Sequence, residues 1–484
     1  FFVNFEKATV PMQVTSWRPS SDGVADPDAN ISRTTIADMQ KVQKYVKDKY
    51  GYDTGSFNDF GATRGDTKAL ARLDWNITSQ HHLAIRYNYT LNQAWTPTNA
   101  SSSNAGQRAV ESRIGKSSMS FFNSVYSSDN VANTFSFDLN SRFSNNLSNQ
   151  LLVTYSILDT RRGSPSQPFP FVDIMDGTGT LTPYMALGYE LFTWHNGYHN
   201  RSITAKDDLT YYFGYHKLLA GVSYDYQMVD NVYMRNGTGY YRYNSLDDFL
   251  NMAAPETVAL TYGYDGAEAP GARVRYHRAA VYAQDEWNPT SKLKLTAGVR
   301  LETIIFDNQD VIRNNAIYNI DYNGYHVDTG TWPTTKLQAS PRIGFTYDVL
   351  GNGDLKLRGG TGLFTGRLPL VFFTNMPSNS SMYQNVTSAT TRYKDGVVNP
   401  ETSDLAILNA FQGKFITDKD ELLNYLHGLD ASRYPTTITP DKGTVGSSFA
   451  AVDPKFKMPQ MWKTTLAVDY NLPFSFPFSV TAEG

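Results

Sequence analysis

The sequence contains no cysteine in 484 residues. A chain without thiols cannot be trapped by wrong disulfides, so this absence is compatible with the oxidising cell envelope. Charge is also scarce and balanced, because charged residues make up 18% of the chain and the formal net charge is -3. A chain so close to neutral lacks the basic surface that nucleic-acid binding requires, and we expect no nucleic-acid partner.

Long apolar runs are missing as well. Hydrophobic residues make up 40% of the chain and its mean hydropathy is -0.42. No stretch approaches the roughly 18 consecutive apolar residues of a membrane helix, which excludes a helical membrane protein. It does not exclude a membrane barrel, since a barrel strand turns only every second side chain towards lipid.

The residues that carry covalent or metal chemistry form no recognisable pattern. The eight histidines show no H-E-x-x-H spacing, and no serine lies in G-x-S-x-G. The segment 321–324 (DYNG) resembles the start of a calcium loop, but no later glutamate completes it, so a loop turn is the better interpretation. We therefore expect no catalytic residue, no metal site and no cofactor, and the protein is not expected to be an enzyme.

Neither end of the chain has the pattern of a natural terminus. Phe1 to Glu6 include no methionine start and neither the basic nor the apolar segment of a signal peptide. Phe478 to Gly484 are typical of a strand that is just beginning. Both ends are therefore expected to be cuts through a larger structure, with residues 1–484 forming one partial barrel domain.

Aromatic residues and period-two alternation are abundant. Aromatics reach 14%, with 32 Tyr and 27 Phe, and Tyr and Trp favour membrane–water interfaces. Apolar and polar residues alternate most clearly over 82–91, 135–140, 218–228 and 293–302. Runs of about ten residues match tilted strands that cross a bilayer, whereas most soluble strands have about five or six residues.

Short and long connections alternate between these runs. The short links lie near 78–80, 144–146, 214–215, 288–291, 351–353 and 472–473, and the long polar connections near 7–65, 93–129, 160–200, 230–272, 307–339 and 367–456. Outer-membrane barrels have short periplasmic turns and long extracellular loops. The sequence therefore predicts an all-β, antiparallel transmembrane β-barrel with about thirteen strands, the first and last incomplete.

Two of the long connections also carry helical patterns. Apolar residues recur at helical spacing within 34–50, with lysines on the opposite face. The segment 403–429 is long enough for one or two short helices. Structured loops of this length are more often functional than filler, and an arriving ligand would meet them first.

Several stretches resemble a known family. Residues 280–287 (AVYAQDEW) and 293–302 (LKLTAGVRLE) resemble the paired strands of TonB-dependent receptors, in which a Y-x-Q-D-x-W strand turns into an L-x-L-x-x-G-x-R-x-E strand. Residues 340–345 (SPRIGF) and 357–367 (LRGGTGLFTGR) resemble the next hairpin of that family, and 457–462 (KMPQMW) follows further on. This combination is most similar to the Oar-like branch, which is common in Bacteroidota.

The resemblance covers roughly 66–92 and 278–472 and none of the long loops. It implies a bacterial outer-membrane barrel of roughly 22 strands closed by an N-terminal plug, which takes up a scarce substrate with energy delivered by TonB. On this interpretation the plug, the TonB-binding segment and the last strands lie outside 1–484. The implied partners are outer-membrane lipid and the TonB complex, with a surface lipoprotein or other envelope protein as a further candidate.

Alternation also predicts a row of charges on the lumen-facing side of the barrel. The arginines on that side or at its upper rim are Arg86, Arg300, Arg342, Arg358 and Arg367. They can pair with acidic side chains of a plug, or with acidic side chains of the barrel itself. The candidates in the barrel are Asp74, Asp225, Glu302 and Asp348. Pairing within the barrel is favoured, because buried charges are seldom left unpaired.

A Tyr-rich stretch in one long loop is a candidate substrate-binding surface. Its members are Tyr233, Tyr240, Tyr241, Tyr243, Tyr262 and Tyr264. Aromatic faces stack on sugars, peptides and other flat ligands, which favours a binding role. An interfacial aromatic belt explains the same residues equally well.

The preferred hypothesis is a TonB-dependent transporter whose outer loops bind a peptide, an oligosaccharide or a metal chelate for energised import. The alternative is a barrel scaffold for a surface or export partner protein, without transport of its own. A third hypothesis is a soluble glycan-binding or glycan-cleaving β-protein, which would stay in solution without detergent. A plug with a TonB box encoded upstream would favour the first.

Overall fold

The computed structural model of the protein describes residues 1–100, 109–394, 397–446 and 448–484. Thirteen long strands form one antiparallel sheet, which we call the wall. In chain order the wall strands are β1 (Phe2–Gln13), β2 (Gly61–Asn76), β3 (His81–Thr96), β4 (Tyr126–Arg142), β5 (Leu147–Gly163), β6 (Gly197–Phe213), β7 (His216–Val232), β8 (Ala272–Thr290), β9 (Leu293–Phe306), β10 (Gln338–Asp348), β11 (Leu355–Thr365), β12 (Gln460–Leu472) and β13 (Phe478–Glu483). Each strand pairs with the next one in this order, so the predicted antiparallel architecture is confirmed.

Short turns and long connections alternate between the wall strands, as the sequence predicts. The turns lie at 77–80, 143–146, 214–215, 291–292, 349–354 and 473–477. The strands extend further towards the long connections than predicted, since β1 continues to Gln13 and β2 begins at Gly61. The two strands pair in register up to these ends, with Val10 opposite Arg64 and Gln13 opposite Gly61.

One face of the wall is apolar and exposed. Val222 on β7 pairs with Val281 on β8, and Val281 pairs with Leu301 on β9, so these three side chains lie on the same face. Val222 and Val281 are each 53% exposed. An exposed apolar face of this kind is typical of the lipid-facing side of a barrel.

Aromatic residues gather at the short-turn end of this apolar face. His216 stacks on Trp287 with ring centroids 5.6 Å apart, and Phe213 stacks on His216 at 5.0 Å. His216 Nδ1 also lies 2.8 Å from a carboxylate oxygen of Asp285. Rings with an apolar body and a polar tip favour the membrane–water boundary, so this cluster marks the interfacial end of the wall.

The long connections fold together over the other end of the wall, and we call this layer the cap. Its described residues are 14–60, 97–100, 109–125, 164–196, 233–271, 307–337, 366–394, 397–446 and 448–459. At its centre is a six-stranded sheet, the cap sheet, built from four of these connections. The cap-sheet strands are Met119–Ser120, Phe171–Met175, Pro183–Leu187, Tyr240–Tyr243, Thr257–Gly263 and Gln384–Thr390.

The remaining elements of the cap are short. The described helices are α1 (Ile36–Tyr50), α2 (Leu246–Leu250), α3 (Asn315–Tyr318), α4 (Val371–Ser378), α5 (Leu405–Asn409) and α6 (Lys419–Leu429), with 3-10 turns at Phe122–Ser124, Tyr264–Gly266 and Pro440–Lys442. Two small sheets pair Arg18–Ser20 with Ile31–Thr35 and Tyr393–Lys394 with Val397–Val398. No described helix combines the length and the apolar character needed to span a membrane.

The cap has a hydrophobic core of its own. Met39, Val42 and Val46 on α1 are fully buried against one face of the cap sheet, and five of the six long connections contribute to this cluster. The Thr35 side chain accepts from the backbone N–H of Asp38 at 3.1 Å and so caps the start of α1. The predicted helices within 34–50 and 403–429 are thereby confirmed as α1, α5 and α6.

The connection 366–459 turns inward along the polar face of the wall. Phe373 and Met376 on α4 pack with Val274 and Tyr276 of β8. These two β8 residues lie on the same face as the polar residues of neighbouring β7, because Tyr276 pairs with Gln227 and Val274 with Val229. Part of the cap therefore lies on the polar face rather than above it.

The two faces predict different responses to a new charge. We expect Val222→Arg to destabilise the protein by about 2–4 kcal/mol, because it places a cation in the apolar face away from both ends. Leu295→Arg should cost less, since Leu295 pairs with the interfacial Trp287. Urea unfolding of the complete protein in lipid vesicles measures both.

The control is Thr296→Arg, which lies next to Leu295 on the opposite, polar face, where Thr296 pairs with Glu286. This substitution should be the mildest of the three. Equal losses of stability for all three variants would contradict the assignment of the faces.

Candidate functional site

The polar face of the wall carries ion pairs that cross from strand to strand. Glu302 on β9 accepts a hydrogen bond from Arg278 on β8 at 2.6 Å and another from Arg300 at 2.9 Å. Arg300 also donates to Ser223 Oγ on β7 at 2.8 Å. Glu302 is only 3% exposed, so this group of charges is compensated within the wall.

A second group of polar side chains continues the network on β6 to β8. Asp208 lies 2.5 Å from Lys206 Nζ and accepts a hydrogen bond from the Tyr282 hydroxyl at 2.5 Å. The Tyr282 ring lies over Gly221, where any side chain would collide with it. This glycine in the middle of a strand therefore leaves room for a neighbouring ring and does not mark a turn.

Three of the predicted arginines have acidic partners in the wall. Arg300 pairs with Glu302, as described, and Arg358 Nε lies 2.9 Å from Asp469 with Glu483 3.1 Å from its Nη2. At the rim, Arg367 Nη2 donates to Asp225 at 3.2 Å.

The other two predicted arginines have no ion pair among the described residues. The Arg342 guanidinium lies over the Phe364 ring, 4.4 Å from its centroid. Arg86 is exposed on the polar face, opposite Arg72 and Ser136. The two remaining acidic candidates have other partners: Asp74 pairs with Arg72 at 2.6 Å, and Asp348 accepts from the backbone of the 349–354 turn.

The cap sheet buries a chain of charged groups on the face opposite α1. Arg113 donates to both carboxylate oxygens of Asp173, at 2.7 and 2.6 Å, and the Tyr240 hydroxyl donates to the same carboxylate at 2.8 Å. Arg242 Nε donates to the Tyr240 oxygen at 2.9 Å, and its Nη1 lies 3.4 Å from Glu256. None of these five residues is more than 1% exposed. These hydrogen-bonded groups link three of the long connections to one another.

The carboxyl groups of this layer differ in their electrostatic environments. Burial works to raise the pKa of Asp173, but the ion pair with Arg113 outweighs it and holds that pKa below its usual range. Burial raises the pKa of Glu256, and Arg242 offsets this only in part. Burial likewise raises the pKa of Glu190, although Thr193 and a backbone N–H donate to its carboxylate. Asp173 is thus stabilised as an anion, whereas Glu190 and Glu256 are not.

The structure separates the six tyrosines that were predicted to bind substrate. Tyr240, Tyr241 and Tyr243 are 0% exposed: Tyr240 belongs to the charged chain, and the other two lie in the hydrophobic core. These three side chains are not available to a ligand in this structure, because the segment is a central strand of the cap sheet. Tyr262 is 8% exposed and donates through its hydroxyl to the Pro435 carbonyl oxygen at 3.0 Å.

Tyr233 and Tyr264 are brought together at an open cavity of about 630 Å³ in the cap. Tyr233 is 52% exposed at its rim, and Tyr264, 8% exposed, lies in its wall. Arg235, Asn379 and Gln384 also line it. The cavity is formed by residues of the connections 233–271 and 366–459, and none of its described lining residues carries a carboxylate.

Sequence reasoning missed Arg235, Asn379 and Gln384. Their positions are separated by up to 149 residues, and none stands in a recognisable motif. A partial signal was the Tyr-rich composition around Arg235, which pointed to the loop but not to the arginine. Within the described ranges, no group of three or more His or acidic side chains is arranged to hold a metal ion.

The chain belongs to a family of outer membrane beta barrel domains, whose model matches residues 21–481. Its thirteen-stranded wall is therefore part of an all-β barrel in the bacterial outer membrane. No curated protein matches the chain.

Several solved structures are similar to the chain at low sequence identity. They include the outer membrane transporter YddB of Escherichia coli, with 14% identity, a TM-score of 0.43, and coverage of 70% of this chain and 37% of that one. The iron transporter FrpB of Neisseria meningitidis has 9% identity and a TM-score of 0.42, covering 89% and 47%. BauA, the ferric preacinetobactin receptor of Acinetobacter baumannii, has 10% identity and a TM-score of 0.39, covering 87% and 46%. The chain thus spans less than half the length of these proteins.

The two buried carboxylates Asp173 and Glu190 predict opposite responses to the same chemical change. Asp173→Asn should destabilise the cap by about 3–5 kcal/mol, because it leaves the buried Arg113 without its counter-charge. Since the lowered pKa means that the Asp173 anion stabilises the fold, this contribution is present at neutral pH and is lost only as the pH falls through the folded-state pKa. Thermal unfolding at pH 7 and the rate of proteolysis in the cap measure the loss.

Glu190→Gln is the matched control, because its raised pKa means that the charged form opposes folding at high pH. It should change stability by less than about 1 kcal/mol or increase it at pH 8. A large loss for Glu190→Gln together with an unaffected Asp173→Asn would contradict both assignments.

Proposed function

We propose that the chain is the substrate-receiving part of a TonB-dependent outer-membrane transporter or receptor. The observation that carries this proposal is a folded cap with an open polar cavity, seated on a wall whose polar face is lined by fixed charges. Extracellular loops of a pore without selectivity have no need of a hydrophobic core and buried ion pairs. A cap of this kind holds binding groups in position on a rigid layer, which binding a scarce substrate requires.

The resemblance to the Oar-like branch supports the same proposal. Its motif residues face one another in the β8–β9 hairpin, where Gln284 pairs with Gly298 and the missing side chain at 298 leaves room for the glutamine. Arg300 and Glu302, from the same motif, form an ion pair at 2.9 Å. On this proposal the complete protein, of the type common in Bacteroidota, has roughly 22 strands, a plug and a TonB-binding segment.

Energised import is tested in cells that carry the complete gene. Ligands that co-purify with the complete protein are identified by native mass spectrometry, and uptake of the labelled ligand is then measured with and without TonB. We expect uptake to fall to background without TonB, while binding to the isolated protein stays unchanged, because TonB drives release and not capture.

Two other results would decide against import. If the ligand binds and uptake is the same without TonB, the energised mechanism is excluded. If an envelope protein co-purifies in a one-to-one ratio and deletion of the gene leaves uptake unaffected, the scaffold alternative is favoured.

Arg86 is the arginine best suited to contact a plug. It lies on the polar face and, among the described residues, has no acidic partner, whereas Arg300 and Arg358 are already paired. An unpaired cation inside a barrel is expected to meet a carboxylate from another segment.

A photo-crosslinking amino acid at position 86 of the complete protein is expected to link to the plug. The control is position 85, where Ile85 belongs to the opposite face of the same strand and should link to lipid. Mass spectrometry of the products distinguishes the two. Equal yields of plug cross-links at both positions, or none at position 86, would refute this role for Arg86.

A further inference from the structure

The cavity in the cap contains a cation without a counter-charge. Arg235 lines it and makes no hydrogen bond or ion pair with any described residue, whereas the cap arginines Arg113, Arg242 and Arg433 all pair with carboxylates. Burial lowers the pKa of Arg235, and no carboxylate acts on it in the opposite direction. A half-buried arginine of this kind costs stability unless a ligand supplies the missing anion.

The backbone around Arg235 is held in place before any ligand arrives. The Asn196 side chain brackets the preceding residue, accepting from the Met234 N–H at 2.5 Å and donating to the Met234 carbonyl oxygen at 2.8 Å. The Asn236 N–H donates to the Leu191 carbonyl oxygen at 2.8 Å. Arg235 is therefore carried by a fixed loop, which lowers the entropy cost of binding through its side chain.

A free acceptor accompanies this cation. Gln384 Nε2 donates to the Tyr233 carbonyl oxygen at 3.1 Å, and because a carbonyl can only accept, this contact fixes which end of the amide is which. Gln384 Oε1 is buried and has no hydrogen-bond partner. A buried acceptor left in this state is costly, and a ligand N–H or O–H would satisfy it once the Gln384 amide turns towards the cavity.

Aromatic surface completes the site. Tyr233 stacks on Phe192 with ring centroids 6.2 Å apart, so its ring is fixed although half of it is exposed. Tyr264 packs edge-on against Tyr262 at 6.4 Å. The volume of about 630 Å³ is in the usual range for sites that bind small molecules.

We propose that this cavity binds a small ligand through a carboxylate group, which the Arg235 guanidinium holds, while the Gln384 amide turns to accept a hydrogen bond from a neighbouring N–H or O–H of the ligand. A planar carboxylate fits the two parallel donors of a guanidinium. Two sources supply this chemistry: the C-terminal end of a short peptide and a uronic-acid unit of an oligosaccharide. The inference deepens the proposed function, because it names a substrate class for the cap of the proposed transporter.

Binding to the complete protein in detergent distinguishes these sources. The probes are trialanine, its C-terminal amide, a disaccharide ending in glucuronic acid, and the corresponding neutral disaccharide. We expect one of the two acids to bind roughly ten-fold to a hundred-fold more tightly than its neutral analogue, the range for a charge-assisted hydrogen bond. The acid that binds identifies the source.

Arg235→Gln should abolish this preference for the acid, with Arg18→Gln as the matched control. Arg18 is an exposed cap arginine outside the cavity, so the same loss of charge there should leave affinity unchanged. If Arg235→Gln does not fold, Val386→Trp provides an independent test. Val386 is 43% exposed and lines the cavity, so a bulky ring there should block both acids.

Equal affinities for acid and neutral probes, unchanged binding by Arg235→Gln or by the folded Val386→Trp variant, or no binding of any probe at millimolar concentration would overturn the inference. These outcomes are distinguishable from failure of the proposed function, because the measurement needs neither TonB nor transport. TonB-dependent uptake with an inert Arg235 would place substrate binding elsewhere in the protein.

Discussion

The hydrogen-bonded pairing of long neighbouring strands is the constraint on which the rest of this molecule depends. In lipid an unpaired backbone N–H or C=O costs several kcal/mol, so the strands that cross must be paired along their length. The pairing of β6 with β7 is continuous from Gly197–Val232 to Phe213–His216. Such pairing fixes the alternation of side chains between the two faces of the wall, since a shift of register by one residue would move every side chain of a strand to the other face.

The chemistry of each face follows from this register. On the polar face, Glu302 pairs with Arg278 and Arg300, and Asp208 pairs with Lys206, so these charges are compensated. Asp207 is one of the carboxylates on the apolar face: it pairs in register with Val222 and accepts a hydrogen bond from Asn149 at 2.6 Å. Even there the charge has a polar partner, as expected where water is scarce.

The cap obeys different physics, because it lies outside the hydrocarbon layer. Its strands are short and come from separate connections, and they are stabilised by the hydrophobic cluster around α1 and by buried charges such as Arg113 and Asp173. A layer held in this way is rigid, so the polar groups left without partners are conspicuous. Arg235 and Gln384 Oε1 are two such groups, and the residues that carry them line the same cavity.

Local sequence patterns allowed much of the wall to be predicted. The antiparallel strands, the short turns and the shared face of Arg86, Arg300, Arg342 and Arg358 all follow from alternation within single strands. The helix in 34–50 was predictable for a similar reason, since its apolar residues recur at a short, regular spacing. In each case the information lies within about twenty neighbouring residues.

The cap could not be predicted in this way. Alternation does not show that Tyr240–Tyr243 pairs with Phe171–Met175 and Thr257–Gly263. This pairing buries the tyrosine side chains of that strand. Nor does it show that Arg235 and Gln384 line the same cavity. The sequence by itself determined which side chains face lipid and which face the lumen, because that depends on a local period. The tertiary structure alone decided which loop residues form the cavity, because contacts between distant segments leave no periodic trace in the chain.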